Sequence, residues 1–289
     1  MWQSIAEQIA CELETPFAIK ERTIIAGDDN NHAYHISDGS RSLFVKTNNK
    51  SHIDPYEVEA QGLKTLLASQ TIRVPHPICY GKTKTHSFLV LEYLNFEPAT
   101  PESWYKAGIE LAALHSHGEQ AMYGADEDNY IGPTVQPNSW QRKWCQFFAE
   151  QRIGWQLQLL QEKGILLGDI EELIARIKQK LAHHQPRPSL LHGDLWNGNI
   201  AFCQDGQPVI YDPACYWGDR EVDIAMTELF GRLPQSFYEG YLSEAPLDEG
   251  YGTRRDIYNF YHILNHCNIF GDAYLSQAKQ LTQQILEAP

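Results

Sequence analysis

The sequence has no run of about 18 or more apolar residues, the length a helix needs to span a bilayer, so no membrane partner is expected. Basic residues are also scarce: 23 Lys and Arg stand against 37 Asp and Glu, a formal net charge of −14. Such an acidic chain makes a poor partner for nucleic acid, which selects a basic face. Cysteine is sparse and unpatterned. The six residues (Cys11, Cys79, Cys145, Cys203, Cys215, Cys267) contain no C-x-x-C, which argues for reduced thiols rather than a disulfide framework or a zinc site. His115-Ser-His117 and His183-His184 lack a second ligand pair at a metal-binding spacing and read as helix-end or surface histidines. The first seventeen residues show neither the basic start nor the long apolar core of a signal peptide, so a soluble cytoplasmic protein is expected. What is present is ordinary for a globular chain, 43% hydrophobic and 11% aromatic over 289 residues. At about 150 residues per domain this length suggests two.

The two halves differ in periodicity. Residues 2–14 place Trp2, Ile5, Ile9 and Leu13 at helical spacing, and short strand-like runs follow at 18–25, 33–36 and 43–47. Residues 55–69 begin with Pro, carry acids in the first turn and continue apolar at helical spacing, which predicts a helix. Two further strands are expected at 78–80 and 87–93. From about residue 103 the pattern turns helical, over 103–117, 138–163, 168–184 and from 221 onward, broken by a sheet-like insert at 189–212. The expected division is therefore a strand-rich N-terminal lobe at 1–94, a linker with two prolines at 95–102, and a helical lobe at 103–289 that carries the β insert.

The insert carries the strongest chemical signal, Leu190-Leu191-His192-Gly193-Asp194-Leu195-Trp196-Asn197-Gly198-Asn199. Its skeleton H-x-D-x-x-x-x-N has the spacing of a kinase catalytic loop. Thirteen residues beyond Asn199, after a predicted hairpin, stands Asp212. Phosphoryl transfer needs a positioned hydroxyl, hard oxygen ligands for Mg²⁺ and a cation on the phosphates. In those terms Asp194 is the candidate base, and Asn199 and Asp212 are candidate Mg²⁺ ligands. His192 reads as a brace for the loop.

The first lobe holds complementary parts. Lys46 ends the strand Leu43-Phe44-Val45, where V-A-I-K places its phosphate-binding lysine. Glu59 lies on the next helix and can pair with that lysine; Glu57, two residues away, faces elsewhere. The turn from Gly27 through Asn31 to Tyr34 has one glycine and no G-x-G-x-x-G, so Gly27 amides and the Asn31 side chain are the candidates for covering phosphates. Glu92, Tyr93 and Leu94, where the last strand meets the linker, offer backbone partners to an adenine. ATP and Mg²⁺ are the expected cofactors. The missing glycine loop, the absence of A-P-E, and Pro213-Ala214 in place of F-G after Asp212 argue against a protein kinase.

The segments L-L-H-G-D-L-W-N-G-N and I-Y-D-P-A-C-Y-W-G-D-R-E-V-D-I-A, with G-D-D-N-N-H-A-Y, F-V-K, R-V-P-H-P and Leu264-Asn265-His266, resemble the fructosamine kinase (ketosamine-3-kinase) family along nearly the whole chain. The resemblance implies an α+β, bilobal protein-kinase-like fold, with a small antiparallel-sheet N-lobe holding one key helix and a larger, mainly helical C-lobe. It implies ATP-dependent phosphorylation of a sugar hydroxyl on ribulosamine, erythrulosamine or fructosamine adducts of small amines or protein lysines, giving an unstable product that frees the amine. It places Trp196 and His266 at the substrate and Asp223 as a brace for the catalytic loop, while Asp219 and Glu221 read as solvated. The nucleotide loop lacks the cysteine that links dimers in some relatives, so a monomer or weak homodimer is expected. Asp28, where glycine is common in the family, is expected to crowd the triphosphate. Another small-molecule kinase of the aminoglycoside or choline type is the alternative, and a pseudokinase a third reading. Trp196 and the Pro213-Ala214-Cys215 stretch tell against the former, and the intact Lys46, Glu59, Asp194, Asn199 and Asp212 set against the latter.

Overall fold

The computed structural model describes residues 1–27 and 31–287. Asp28 lies outside them. The amino-terminal part begins with α1 (Trp2–Glu12), followed by β1 (Glu21–Gly27), β2 (His32–Ser37), β3 (Ser42–Asn49), α2 (Ile53–Ser69), β4 (Pro77–Lys82) and β5 (His86–Glu92). The strands form one antiparallel sheet in the order β1-β2-β3-β5-β4.

Alternation along β5 explains why this sheet is covered on both faces. Phe88 and Val90 join Ile5 and Ile9 of α1, with Ile36 and Val45, in one apolar cluster. Leu89 and Leu91 point the other way and join Tyr56, Ala60, Leu63 and Leu66 of α2. Successive strand side chains face opposite sides, so S-F-L-V-L-E reads as an uninterrupted apolar run when both sides are buried. On β3 the same alternation sends Val45 toward α1 and Lys46 toward α2.

The carboxy-terminal part holds α3 (Pro101–Ser116), a hairpin of β6 (Asn129–Ile131) and β7 (Thr134–Gln136), and a long helix made of α4 (Trp144–Phe147), a π-helical stretch (Phe148–Gly154) and α5 (Trp155–Glu162). Next come α6 (Ile170–Lys180), β8 (Ser189–Leu191), β9 (Ile200–Phe202), β10 (Pro208–Ile210), β11 (Tyr216–Gly218), α7 (Glu221–Leu229), α8 (Gln235–Glu244), α9 (Tyr251–Phe270) and α10 (Asp272–Glu287). Thr100 and Ser103 form a reciprocal cap on α3, with Pro101 in its first turn. None of the described helices is long and apolar enough to cross a membrane.

Two sequence expectations are corrected here. The strand pairing of the catalytic insert reaches past residue 212: β9 pairs with β10, but the partner of β8 is β11 at Tyr216–Gly218. The helix expected from 138 begins at Trp144. Residues before it are held extended, with Gln141 bridged to Tyr123 and Asn138 engaged by Arg152.

The two parts share a core. Leu63, Leu66 and Leu89 pack in one cluster with Leu111 and Leu114 of α3, Leu190, Leu195 and Phe202. Backbone bonds cross behind the cleft as well, from Ile210 N to Arg73 O (3.0 Å) and from Glu97 N in the linker to Phe202 O (2.8 Å). Because the segment around Leu195 is bonded to both parts, truncating that fully buried side chain to Ala is expected to cost about 2–5 kcal/mol and to loosen the segment with the core.

Candidate active site

The segment that carries the H-x-D-x-x-x-x-N pattern turns on Gly193. Its φ is +84°, and an added Cβ would lie 2.0 Å from Ala214 O, so only glycine fits. The turn is tied down from below by Asp223 of α7. Its Oδ2 accepts from His192 N (2.8 Å) and its Oδ1 from Gly193 N (2.9 Å). Asp223 is fully buried. Burial alone would raise its pKa, but hydrogen bonding from His115 and the nearby charges outweigh that and hold it below the usual carboxylate range. His115 Nε2 lies 3.1 Å from Asp223 Oδ2, and Tyr241 OH lies 2.8 Å from His115 Nδ1. His115, read as a helix-end or surface residue, does sit at the end of α3 but is buried, because its ring satisfies this buried carboxylate. His192 donates from Nε2 to Tyr211 O (2.9 Å) and accepts at Nδ1 from Asp194 N (3.3 Å). Burial lowers the pKa of this imidazole below the ordinary histidine value, against the opposing pull of Asp223.

Asp194 therefore projects from a braced loop. Asn199 donates from Nδ2 to Asp194 O (2.9 Å) and, more weakly, to Asp194 Oδ2 (3.4 Å). Burial, then the charges of Asp212 and Asp223, push the Asp194 carboxyl up to about 7. Asp212 follows β10 in the left-handed region at φ +57°, a conformation that side chains other than glycine seldom adopt away from functional sites. Its Oδ1 accepts from Lys46 Nζ (2.6 Å), and the same ammonium donates to Glu59 Oε1 (2.7 Å). Burial opposes the charge of Lys46, but Asp212 and Glu59 more than compensate and hold its pKa above the ordinary lysine range. Glu57 points to Tyr80 OH instead (2.8 Å). Lys46 and Asp212, 166 positions apart in the chain, are thus joined through one ammonium.

Three cavities meet at Lys46. One, of about 420 Å³, runs along Leu91–Leu94 between Phe44 and the ring pair Phe96–Tyr211, whose centroids are 5.8 Å apart. Within it the Glu92 N–H is already donated to His76 O (2.8 Å), and its carboxylate is held by Arg73 (2.7 Å). A second, of about 530 Å³, lies beneath Gly27 and Asn31 and reaches His52 and Tyr56. The third, of about 330 Å³, contains Asp194, Asn199 and Asp212 on one side and Asn129 and Tyr130 of the β6–β7 hairpin on the other. Trp196 lines this third cavity and is 38% exposed rather than packed in the core.

The structure does not bring every sequence-predicted residue together. His266 lies on α9 with its ring 4.4 Å from that of Phe230 and its Nδ1 bonded to His262 O; it lines none of the three cavities. Asp219 and Glu221 are buried, not solvated, because polar partners surround them. Asp219 accepts from Tyr258 OH (2.5 Å) and faces His184 (2.7 Å), and Glu221 takes two bonds from Arg254 (2.6 and 2.7 Å). His184 is thereby a paired, half-buried residue rather than a free surface one. Asn129 and Tyr130 were missed by sequence reasoning. The Gly132-Pro133 dipeptide between β6, which carries both residues, and β7 is the available signal for a hairpin.

A sequence profile of the fructosamine kinase family matches residues 1–288. The chain belongs to that family. It is 53% identical over 287 residues to a protein of Vibrio parahaemolyticus named a probable ketoamine kinase, covering 99% of each chain. It is 42% identical over 288 residues to one so named in Escherichia coli K12, covering 100% of each. A crystal structure described as a fructosamine-3-kinase from Haemophilus somnus superposes with a TM-score of 0.94 at 38% identity, over 99% of this chain and 98% of that one. An aminoglycoside phosphotransferase in ternary complex with AMP-PNP and hygromycin B superposes at 0.65 with 13% identity, over 98% of each, a likeness of fold alone. The fold is thus the bilobal protein-kinase-like one, and family and fold together make the chain a phosphotransferase.

Proposed function

We propose that this protein transfers the terminal phosphoryl group of ATP to a sugar hydroxyl of a ketosamine. One observation carries the reading: Lys46, Glu59, Asp194, Asn199 and Asp212, scattered over 167 residues, converge between an apolar cavity suited to a base and a polar cavity floored by an exposed indole. Family membership directs the choice of acceptor.

The adenine enters along Tyr93 and Leu94 beside Phe96 and Tyr211, with the backbone past Glu92 supplying polar partners. Gly27 and Asn31 cover the phosphates, and Lys46, oriented by Glu59, holds them from below. Asn199 Oδ1 and the Asp212 carboxylate form a hard oxygen donor set that fits Mg²⁺ rather than a softer metal. When bound there, the ion neutralises charge on the phosphate oxygens. Asp194 accepts the proton of the attacking hydroxyl. Its carboxyl, raised to about 7, suits a base that works near neutrality. Trp196 offers its face to the C–H side of the sugar. The amine arm of the substrate meets a protein with net charge −14, which favours a cation. Phosphorylation gives an unstable product that releases the free amine, so the reaction serves deglycation.

The test is coupled ADP release with Mg²⁺ and ATP on ribulosyl-lysine and fructosyl-lysine. Turnover of at least one, absent with either omitted component, is expected. Failure of both while another alcohol turns over would transfer the chain to a different small-molecule substrate.

A further inference from the structure

Arg152 sits in the π-helical stretch of the long helix and is fully buried, yet among the described residues no carboxylate lies within ion-pair distance of it. Burying a cation without a counter-ion is expensive, and an apolar side chain of similar volume would fill the space at less cost. The charge is instead solvated by aromatic faces and by oxygens of neutral groups. The guanidinium lies 4.0 Å from the ring centroid of Tyr216 and 4.6 Å from that of Phe147. It donates to Pro137 O (2.5 Å), weakly to Gln151 O (3.4 Å), and to Asn138 Oδ1 (2.6 Å).

That last bond sets a direction. Arginine is a donor only, so Asn138 turns its oxygen inward and its NH₂ outward. The outward NH₂ donates to Asn129 Oδ1 (3.0 Å), which forces the Asn129 NH₂ toward Cys215 O, where it donates at 2.8 Å. Gln136 reinforces the arrangement, with Nε2 donating to Asn129 Oδ1 (2.7 Å) and Ala214 O (3.2 Å) while Oε1 accepts from Tyr261 OH (2.7 Å). Every donor points away from the cation, the arrangement in which successive hydrogen bonds polarise and strengthen one another. The chain ends at two useful places: Asn129, beside Tyr130 in the acceptor cavity, and the Ala214–Cys215 carbonyls just past Asp212.

We propose that Arg152 is a positioning residue for the acceptor side of the site, fixing through the Asn138 amide the orientation of Asn129 and the docking of the β6–β7 hairpin on the segment that follows Asp212. The inference rests on the phosphotransferase reading above. It assigns a role in the reaction to a cation that touches neither substrate.

The decisive variant is Asn138→Asp. The carboxylate gives Arg152 the ion pair it lacks, so a role confined to supporting the buried charge predicts a fold at least as stable and unchanged kinetics. The relay predicts otherwise, because the Asn138 donors to Asn129 Oδ1 and Glu127 O are gone and an oxygen faces the Asn129 oxygen, which then keeps the Gln136 Nε2 donor but has lost the one tied to the cation. We expect kcat/KM for the acceptor to fall about tenfold or more, the scale of a small misplacement, with KM for ATP and the melting temperature held. A crystal structure of the variant should show the Asn129 amide turned away from Cys215 O. Wild-type acceptor kinetics, or a KM for ATP that rises in parallel, overturns the proposal. If Asn138→Asp does not fold, Gln136→Glu is scored on the same constants, since it keeps the acceptor for Tyr261 and removes the donors to Asn129 and Ala214. Absence of ketosamine turnover in the wild type would end the substrate reading alone. The variants are then scored on whichever alcohol releases ADP, and the Asn129 orientation in the variant crystal decides the relay even without turnover.

Discussion

The two sides of the cleft are held by opposite electrostatic means. On the side proposed for the nucleotide, Lys46 bridges Glu59 and Asp212, a charged triad in which Lys46 and Glu59 are mostly buried and Asp212 is half-exposed to the cleft. On the proposed acceptor side a single buried cation, Arg152, heads a chain of neutral groups, the buried Asn138 amide followed by the half-buried Asn129 amide and Cys215 carbonyl. Charges that open to water are screened and adjustable, whereas an amide chain anchored on a buried cation has one permitted direction and is rigid. On the proposed reading, a polyanion that arrives with its own metal would meet an adjustable triad, and a sugar whose hydroxyl must lie in line would meet fixed walls.

This contrast gives separable expectations. The largest effect belongs to Lys46→Met: loss of the cation on the phosphates should lower kcat/KM for ATP about 10²-fold, while KM for the acceptor changes little, measured by varying each substrate in turn. An equal rise in both KM values would mean the two sides are not independent. Trp196→Ala should do the reverse, raising KM for the ketosamine about tenfold through loss of an aromatic contact and leaving KM for ATP as it was. A smaller effect concerns stability. The folded-state carboxyl of Asp194 is raised from 3.8 to about 7, so its contribution to stability is fully present below the unfolded value and is lost as pH rises through about 7. Thermal melts of the metal-free, nucleotide-free protein should therefore show Asp194→Asn close to wild type near pH 4 and more stable than it near pH 8. A constant difference across that range would remove burial and the Asp212 and Asp223 charges as the cause.

The same contrast explains what was legible in the sequence. Charged residues at fixed spacings announce themselves: His192, Asp194 and Asn199 lie within eight positions, Asp212 follows a turn, and Lys46 ends an alternating strand. Glu59 could be chosen over Glu57 because two residues on a helix face different ways. The sheet and α2 followed from periodicity, and the doubly apolar β5 from burial on both faces. The acceptor wall gave no such signal. Its strands are three residues each and mostly polar, too short for alternation to register. Arg152 lies in a stretch that reads as an amphipathic helix, where arginine is ordinarily exposed. Its partner Asn138 is fourteen residues upstream in a segment that carries the same helical spacing. Asp219 and Glu221 looked solvated because acids usually are; their partners Tyr258 and Arg254 stand more than thirty residues away in sequence.

The central claim is that Asp194 acts on the acceptor hydroxyl in a site whose nucleotide half stands without it. The direct measurement pairs steady-state turnover of ribulosyl-lysine with ATP titration for wild type and Asp194→Asn. Turnover should fall about 10²-fold or more, the loss expected for a general base, with ATP affinity retained. Unchanged turnover, or a loss fully accounted for by weaker ATP binding, would contradict it.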